Sequence, residues 1–263
     1  MQMALTGQLK HNLGAATNAL LPQCNYSRCI FLIGHMRCGS TALSNILCSR
    51  PDISGYGETH ISYTDKNGPG ALVLNQLKRS AWKPQADYLF DKILHNVLDS
   101  KPPEEFFKSC AIFLIRDPKA AIPSILNLSQ KTGMREYATF KDAESYYTDR
   151  LLHIKTLWKR FPSDRRCGFT HDALTQDTKT VLNTISQFLG LESPLRNYYA
   201  PSRATKQHGT GDPLNAHKHN AIVEGGIKKA RNQNTVSEGR KIADRTEELW
   251  LETSTLFQRD RER

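Results

Sequence analysis

Short, continuous apolar runs alternate along the chain with longer stretches of helical spacing. The runs are 30–33, 88–94 (YLFDKIL), 111–115 and 167–170. Each is too short for a helix and rich in β-branched or aromatic residues, the pattern of strands buried on both faces. Between them, 41–49 puts Leu43, Ile46 and Leu47 on one face and is closed by Arg50-Pro51. Further helices are predicted over 71–80, 102–109, 118–130, 141–160 (around Tyr147, Leu151, Ile154 and Trp158) and 178–189, the last capped by Gly190. Leu5, Leu9, Leu13, Ala16 and Leu20 give 1–28 a weak helical pattern up to Pro22, a surface helix that packs on the sheet or serves as a lid. Residues 51–63 are rich in turn formers and 64–72 are loop-like. From 199 to 234 periodicity is lost to Gly, Pro, His, Lys and Arg, which marks a long functional loop. A final amphipathic helix carries Ile242, Leu249, Trp250 and Leu256. Strands alternating with helices predict an α/β fold with a parallel, doubly wound sheet, which binds ligands at the carboxyl ends of its strands. With 263 residues the chain suits a single domain.

Composition narrows the function classes. No apolar run approaches the length of a membrane span, and Lys10, His11 and Asn12 interrupt any secretory leader. The six cysteines show no paired spacing, which suits a reduced, cytoplasmic protein. A net charge of +10, spread over the chain, suits a polyanionic partner such as a polyphosphorylated nucleotide. No nucleic-acid motif accompanies it, so neither nucleic acid nor membrane is the expected partner.

Chemistry concentrates first at 29–41, CIFLIGHMRCGST. Strand, glycine-bounded loop and helix start form a cradle whose backbone N–H groups face an anion. A nucleoside-triphosphatase loop would carry Lys after its second Gly. Here that position is Ser40, and the cation is Arg37 inside the loop. A second cluster follows the 111–115 strand. Arg116 leaves the strand, Asp117-Pro118 starts a helix, and Ser124 lies two turns on, back on the same face. Arg supplies a fork suited to phosphate and Ser another donor. An alternative keeps a P-loop phosphotransferase using ATP-Mg, with Asp117 as the metal ligand, although Arg116 beside it opposes a divalent cation. Cys38 at a helix N-terminus favours a thiolate.

Gly34-His-Met-Arg-Cys-Gly-Ser-Thr41 resembles the 5′-phosphosulfate loop, P-[KR]-S-G-[TS]-T, of sulfotransferases that use 3′-phosphoadenosine 5′-phosphosulfate (PAPS). Met36 stands in place of Pro and Cys38 in place of Ser. The 112–124 segment is similar to the family's 3′-phosphate motif, whose Arg and Ser match Arg116 and Ser124, with Pro123 as a departure. Cys167-Gly-Phe-Thr-His-Asp-Ala-Leu followed by a helix ending Phe-Leu-Gly-Leu is similar to the family's YEDL element, with His171 in place of Glu. The resemblance implies a P-loop-like fold, a parallel sheet flanked by helices. It implies sulfuryl transfer from PAPS to a hydroxyl or amine of a small acceptor, here of a secondary-metabolite kind, with 3′-phosphoadenosine 5′-phosphate (PAP) as product and no metal. It places Arg37, Cys38, Gly39, Ser40, Thr41 and Ala42 on the phosphosulfate, and Arg116 and Ser124 on the 3′-phosphate. Lys206, His208 and Gly209 belong to the loop that closes over the nucleotide. Glu58, in a Pro-Asp…Gly-Glu segment like that of bacterial and tyrosine-directed members, matches a catalytic base. Lys92 matches the Lys near the bridging oxygen. His60 and His95 are alternative bases, although Lys92 and His95 are spaced KxxH where the cytosolic branch has KxH.

Overall fold

A computed structural model describes residues 12–200, 219–225 and 241–261. The expected lid residues 1–11, most of the 199–234 loop, and Lys206, His208 and Gly209 lie outside the described residues. The fold is α/β. Five strands, β1 (Cys29–Gly34), β2 (Ile53–Ser54), β3 (Tyr88–Ile93), β4 (Cys110–Ile115) and β5 (Arg166–Thr170), lie in the order β2-β3-β1-β4-β5. β2 pairs with β3 in parallel, Ile53 opposite Tyr88. All six residues of β1 and of β4 are buried, as their unbroken apolar runs require.

Helices alternate with the strands: α1 (12–20), α2 (Ser40–Cys48), α3 (Gly68–Lys78), α4 (Pro118–Thr132), α5 (Phe140–Arg160), α6 (His171–Gln176), α7 (Thr178–Phe188) and α8 (Asp244–Arg261). Their limits have local causes. Asp117 accepts the Lys119 N–H at 2.7 Å, Pro118 fills the first turn, and Gly133, at φ 72°, ends α4. Thr139 and Asp142 form a reciprocal capping box on α5. Pro123 lies inside α4.

The contacts divide the chain into two compact units. The first comprises the described residues of Met1–Leu32, Thr41–Ala111 and Tyr198–Ala221. Its core is aromatic: Phe31 stacks on Phe106 at 4.8 Å and meets Tyr63 edge-on at 4.7 Å. α1 lies against α3, where the sequence predicts packing on the sheet or a lid; a Cβ on Gly70 would overlap the Gly14 carbonyl oxygen. The second comprises the described residues of Ile33–Ser40, Ile112–Asn197 and Ile222–Arg263. There Phe113 meets Trp158 at 5.1 Å and Trp158 meets Phe257 at 4.4 Å. Gly168 is needed because a Cβ there would fall 2.5 Å from the Phe257 ring.

The structure departs from the sequence pattern at a few places. α3 starts at Gly68, inside the predicted loop 64–72, because Pro69 is well placed in a first helical turn. β2 and α6 lie in stretches too short to show periodicity. Residues Glu104–Lys108 form a 3-10 helix rather than an α-helix. In the last helix Thr253 and Phe257 are fully buried, and Ile242 precedes the helix.

Candidate active site

The glycine-bounded loop belongs to the second unit. It begins at Gly34, where a Cβ would lie 2.7 Å from the Leu114 oxygen and 2.9 Å from Cys38 Sγ, so strand packing demands glycine. Arg37 sits at φ 66° and Gly39 at φ 94°. Left-handed residues two apart curl the backbone into a concavity for anions. α2 starts at Ser40, and the unpaired N–H groups of its first turn add to that potential.

Arg37, Arg116 and Ser124 converge. Arg37 Nε donates to Ser124 Oγ at 3.1 Å, and Arg116 Nη1 donates to the Arg37 carbonyl at 3.2 Å. Thus Arg37, expected on the phosphosulfate, has its guanidinium among the residues expected on the 3′-phosphate. Burial, then the nearby Arg37 charge, push Arg116 below its ordinary pKa, against the pull of Asp172. Arg116 Nε is buried and meets no hydrogen-bond acceptor. Two guanidinium groups together, one with an unmet buried donor, make a site that an oxyanion would complete.

Several residues that sequence reasoning passed over hold this cluster. His35 is fully buried. Its Nδ1 lies 2.8 Å from the Met36 carbonyl, and its Nε2 accepts the Arg116 N–H at 2.9 Å, which assigns the neutral tautomer with the proton on Nδ1. Burial pushes its pKa down to about 3; Arg116, Arg150 and His171 act the same way, against the Met36 hydrogen bond. From α5, Tyr146 Oη accepts the Met36 N–H at 2.9 Å, Tyr147 Oη donates to the Arg116 carbonyl at 2.7 Å, and buried Arg150 donates to the Gly34 carbonyl at 2.9 Å. A charged Arg150 beside Tyr147 and Leu151, on an otherwise apolar helix face, was the available signal. His171 packs on Gly39, a Cβ there being 2.9 Å from its ring. Cys38 is fully buried, so an accessible thiolate is not what the structure presents. Asp117 serves as the α4 cap.

The candidate base lies in the first unit. Glu58 is 7% exposed. Its Oε1 lies 3.7 Å from His60 Nδ1 and 3.6 Å from His95 Nε2, and its Oε2 is 3.8 Å from Lys92 Nζ. None of these is hydrogen-bonding distance, and Glu58 Oε1 is a buried acceptor with no hydrogen-bond partner. Lys92 is buried, its Nζ 3.4 Å from Thr41 Oγ1 in the first turn of α2. The structure therefore gathers Glu58, His60, Lys92 and His95, all named from the sequence, with Thr41. His60 is held at φ 58°, and Gly57, at φ 129°, lets the chain turn before Glu58.

Asp91 fixes this arrangement. Oδ1 accepts the Thr59 N–H at 3.0 Å and the Lys92 N–H at 2.8 Å; Oδ2 accepts Thr59 Oγ1 and Tyr63 Oη, each at 2.7 Å. One carboxylate thus ties the residue after Glu58 to the backbone of Lys92. Burial pushes its pKa up to about 6, against these hydrogen bonds. An Asp inside the apolar run YLFDKIL was the sequence signal. Among the described residues no group of three or more His, Cys, Asp or Glu could hold a metal ion, and no helix is long and apolar enough to cross a membrane.

The family model described as a sulfotransferase domain matches residues 27–239. Among solved structures, the chain is similar to the sulfotransferase domain from the curacin biosynthetic pathway, with 17% identity over 86% of this chain and 96% of that one and a TM-score of 0.57. The sulfotransferase domain of the Synechococcus PCC 7002 olefin synthase gives 21% identity, 88% and 94% coverage, and a TM-score of 0.59. A mouse sulfotransferase complexed with PAP gives 14%, 95% and 93%, and 0.51. These likenesses show a shared fold. No curated protein matches the chain.

Proposed function

The chain belongs to the sulfotransferase family, and from that premise we propose that it transfers the sulfuryl group of PAPS to a hydroxyl or amine of a small-molecule acceptor, with Glu58 as the base. The observation that carries this reading is the buried Oε1 of Glu58, which has no hydrogen-bond partner and faces His60 and His95, with Lys92 beside Oε2. An unmet acceptor there costs the fold about 1–3 kcal/mol. A substrate X–H group directed at that oxygen would meet it and become a stronger nucleophile.

The donor's charges suit the other cluster. Arg116 Nε lacks an acceptor that a phosphate oxygen would supply, with Arg37 and Ser124 beside it. The loop backbone, with Cys38, Gly39, Ser40, Thr41 and Ala42, would hold the phosphosulfate. In the reaction the acceptor oxygen or nitrogen forms a bond to sulfur as its proton passes to Glu58. The bond between sulfur and the bridging oxygen breaks, and that oxygen leaves with the electron pair as part of PAP. Lys92 and Thr41 are positioned to meet the charge growing there. The phosphotransferase alternative lacks its loop Lys, and its candidate metal ligand, Asp117, caps α4.

We place the reaction in the cytoplasm, in secondary metabolism, with 1–263 working as one domain. All six cysteines are thiols, which suits a reducing compartment, and two structural neighbours come from biosynthetic systems. Incubating the enzyme with sulfur-labelled PAPS and a panel of phenols, alcohols and amines tests the reading. Labelled product is expected with the wild type and not with Glu58→Gln. Equal labelling by both would remove Glu58 from the mechanism.

A further inference from the structure

We propose that His35 is a positioning residue for the sulfuryl donor: from inside the core it locks the glycine-bounded loop and Arg116 in one register. This rests on the donor reading above. The two donor-binding motifs lie about eighty residues apart in sequence, 34–41 and 116–124, and something must set their spacing to fit one nucleotide. His35 joins them directly. Its Nδ1 is on the Met36 carbonyl, inside the loop, and its Nε2 is on the Arg116 N–H, where the strand ends and the second motif begins.

The surroundings preserve that bridge. The ring meets Tyr147 edge-on at 4.7 Å, and Tyr147 Oη in turn donates to the Arg116 carbonyl. The Arg116 peptide groups are therefore held on both sides, by an acceptor at N–H and a donor at C=O. Arg150 holds the Gly34 carbonyl, one residue before His35. Only a neutral imidazole works here. An imidazolium would turn a second N–H against the Arg116 N–H and add charge beside two arginines. A hydrophobic residue of equal size would fill the space but leave the Met36 carbonyl and the Arg116 N–H unmet, freeing both motifs to shift. Small shifts of binding groups lower affinity sharply when several must act on one ligand.

The test separates this role from that of an ordinary core histidine. PAP binding is measured by calorimetry for the wild type and for His35→Phe, His35→Gln and His35→Asn, well below each protein's melting temperature, with kcat measured at saturating PAPS. Phe keeps the packing on Tyr147 and loses both hydrogen bonds. Gln can replace the acceptor toward Arg116, and Asn the donor toward Met36. His35→Phe is expected to bind PAP about 10- to 100-fold more weakly, with kcat within about threefold of wild type and partial recovery in Gln or Asn. A folded His35→Phe that melts earlier but binds PAP as tightly as wild type overturns the proposal. Should Phe not fold, Gln and Asn decide, because each lacks one of the two bonds; wild-type affinity in both overturns it. A wild type that does not bind PAP overturns the donor reading and this proposal with it. Wild-type binding with unchanged variants overturns this proposal alone.

Discussion

In one unit a buried carboxylate oxygen, Glu58 Oε1, has no hydrogen-bond donor; in the other a buried guanidinium N–H, Arg116 Nε, has no acceptor. The brackets around them are also of opposite kinds. Asp91, an anion, gathers four donors behind Glu58 and Lys92. Neutral His35, with Tyr147 and Arg150, satisfies backbone groups behind Arg37 and Arg116 without adding negative charge that would compete with a bound anion. In each cluster one buried charged side chain has a polar atom without a hydrogen-bond partner, and the two missing partners differ: a proton donor for one, an oxyanion for the other. From that difference we propose that Glu58 meets the X–H group of the acceptor and Arg116 a phosphate of the donor.

The sharpest way to break the contrast is to remove one orphan at a time. Glu58→Gln should lower kcat by about 10²- to 10⁴-fold while PAP affinity stays at the wild-type level. Arg116→Met should do the reverse, weakening PAP by about 30-fold or more with the fold intact by circular dichroism. If either change moved both quantities equally, the division of labour would be wrong.

Asp91→Asn sharpens the same contrast at smaller amplitude. An amide turns one oxygen into a donor facing donors, so stability should fall by about 1–3 kcal/mol and kcat by about tenfold, with PAP binding preserved. Denaturant midpoints and calorimetry check both.

The two brackets should also respond to pH with opposite signs. His35 and His171 have pKa values pushed down to about 3 and about 4, so above pH 6.5 their stabilising contribution is fully present. It is lost as pH falls toward those values, because the unfolded chain takes up protons that the fold refuses. For His35 the slope approaches about 1.4 kcal/mol per pH unit. Asp91 is pushed up to about 6, so its contribution is present below about 3.8 and lost as pH rises through 6. His35→Gln should therefore flatten the acid limb of the stability profile, and Asp91→Asn should remove a loss between pH 4 and 6. The smallest effect concerns Cys38: fully buried, it should resist iodoacetamide in the native enzyme, and loss of PAP binding on brief alkylation would contradict its burial.

Much of this was legible in the sequence because the strands that position the site, β1, β3 and β4, are short apolar runs ended by Gly34, His95 and Arg116. Arg37, Ser124, Glu58, Lys92 and His95 could be named because they stand at strand ends or in motif positions. The supporting residues could not. Tyr147 and Asp91 sit on elements whose periodicity reports only burial and His35 lies in the loop after β1; the importance of all three arises from groups brought near by the fold. Nor does its motif announce that Arg37, at φ 66°, donates from its side chain to Ser124. β2 and α6 are too short for a periodic signal.

Calorimetric titration with PAP, and in parallel with ATP-Mg, of the wild type, Arg116→Met and Glu58→Gln tests the central claim most directly. The account predicts one PAP site in the wild type and in Glu58→Gln, strong weakening in Arg116→Met, and no binding of ATP-Mg at comparable concentration. Binding of ATP-Mg without PAP, or wild-type PAP affinity in Arg116→Met, would contradict it.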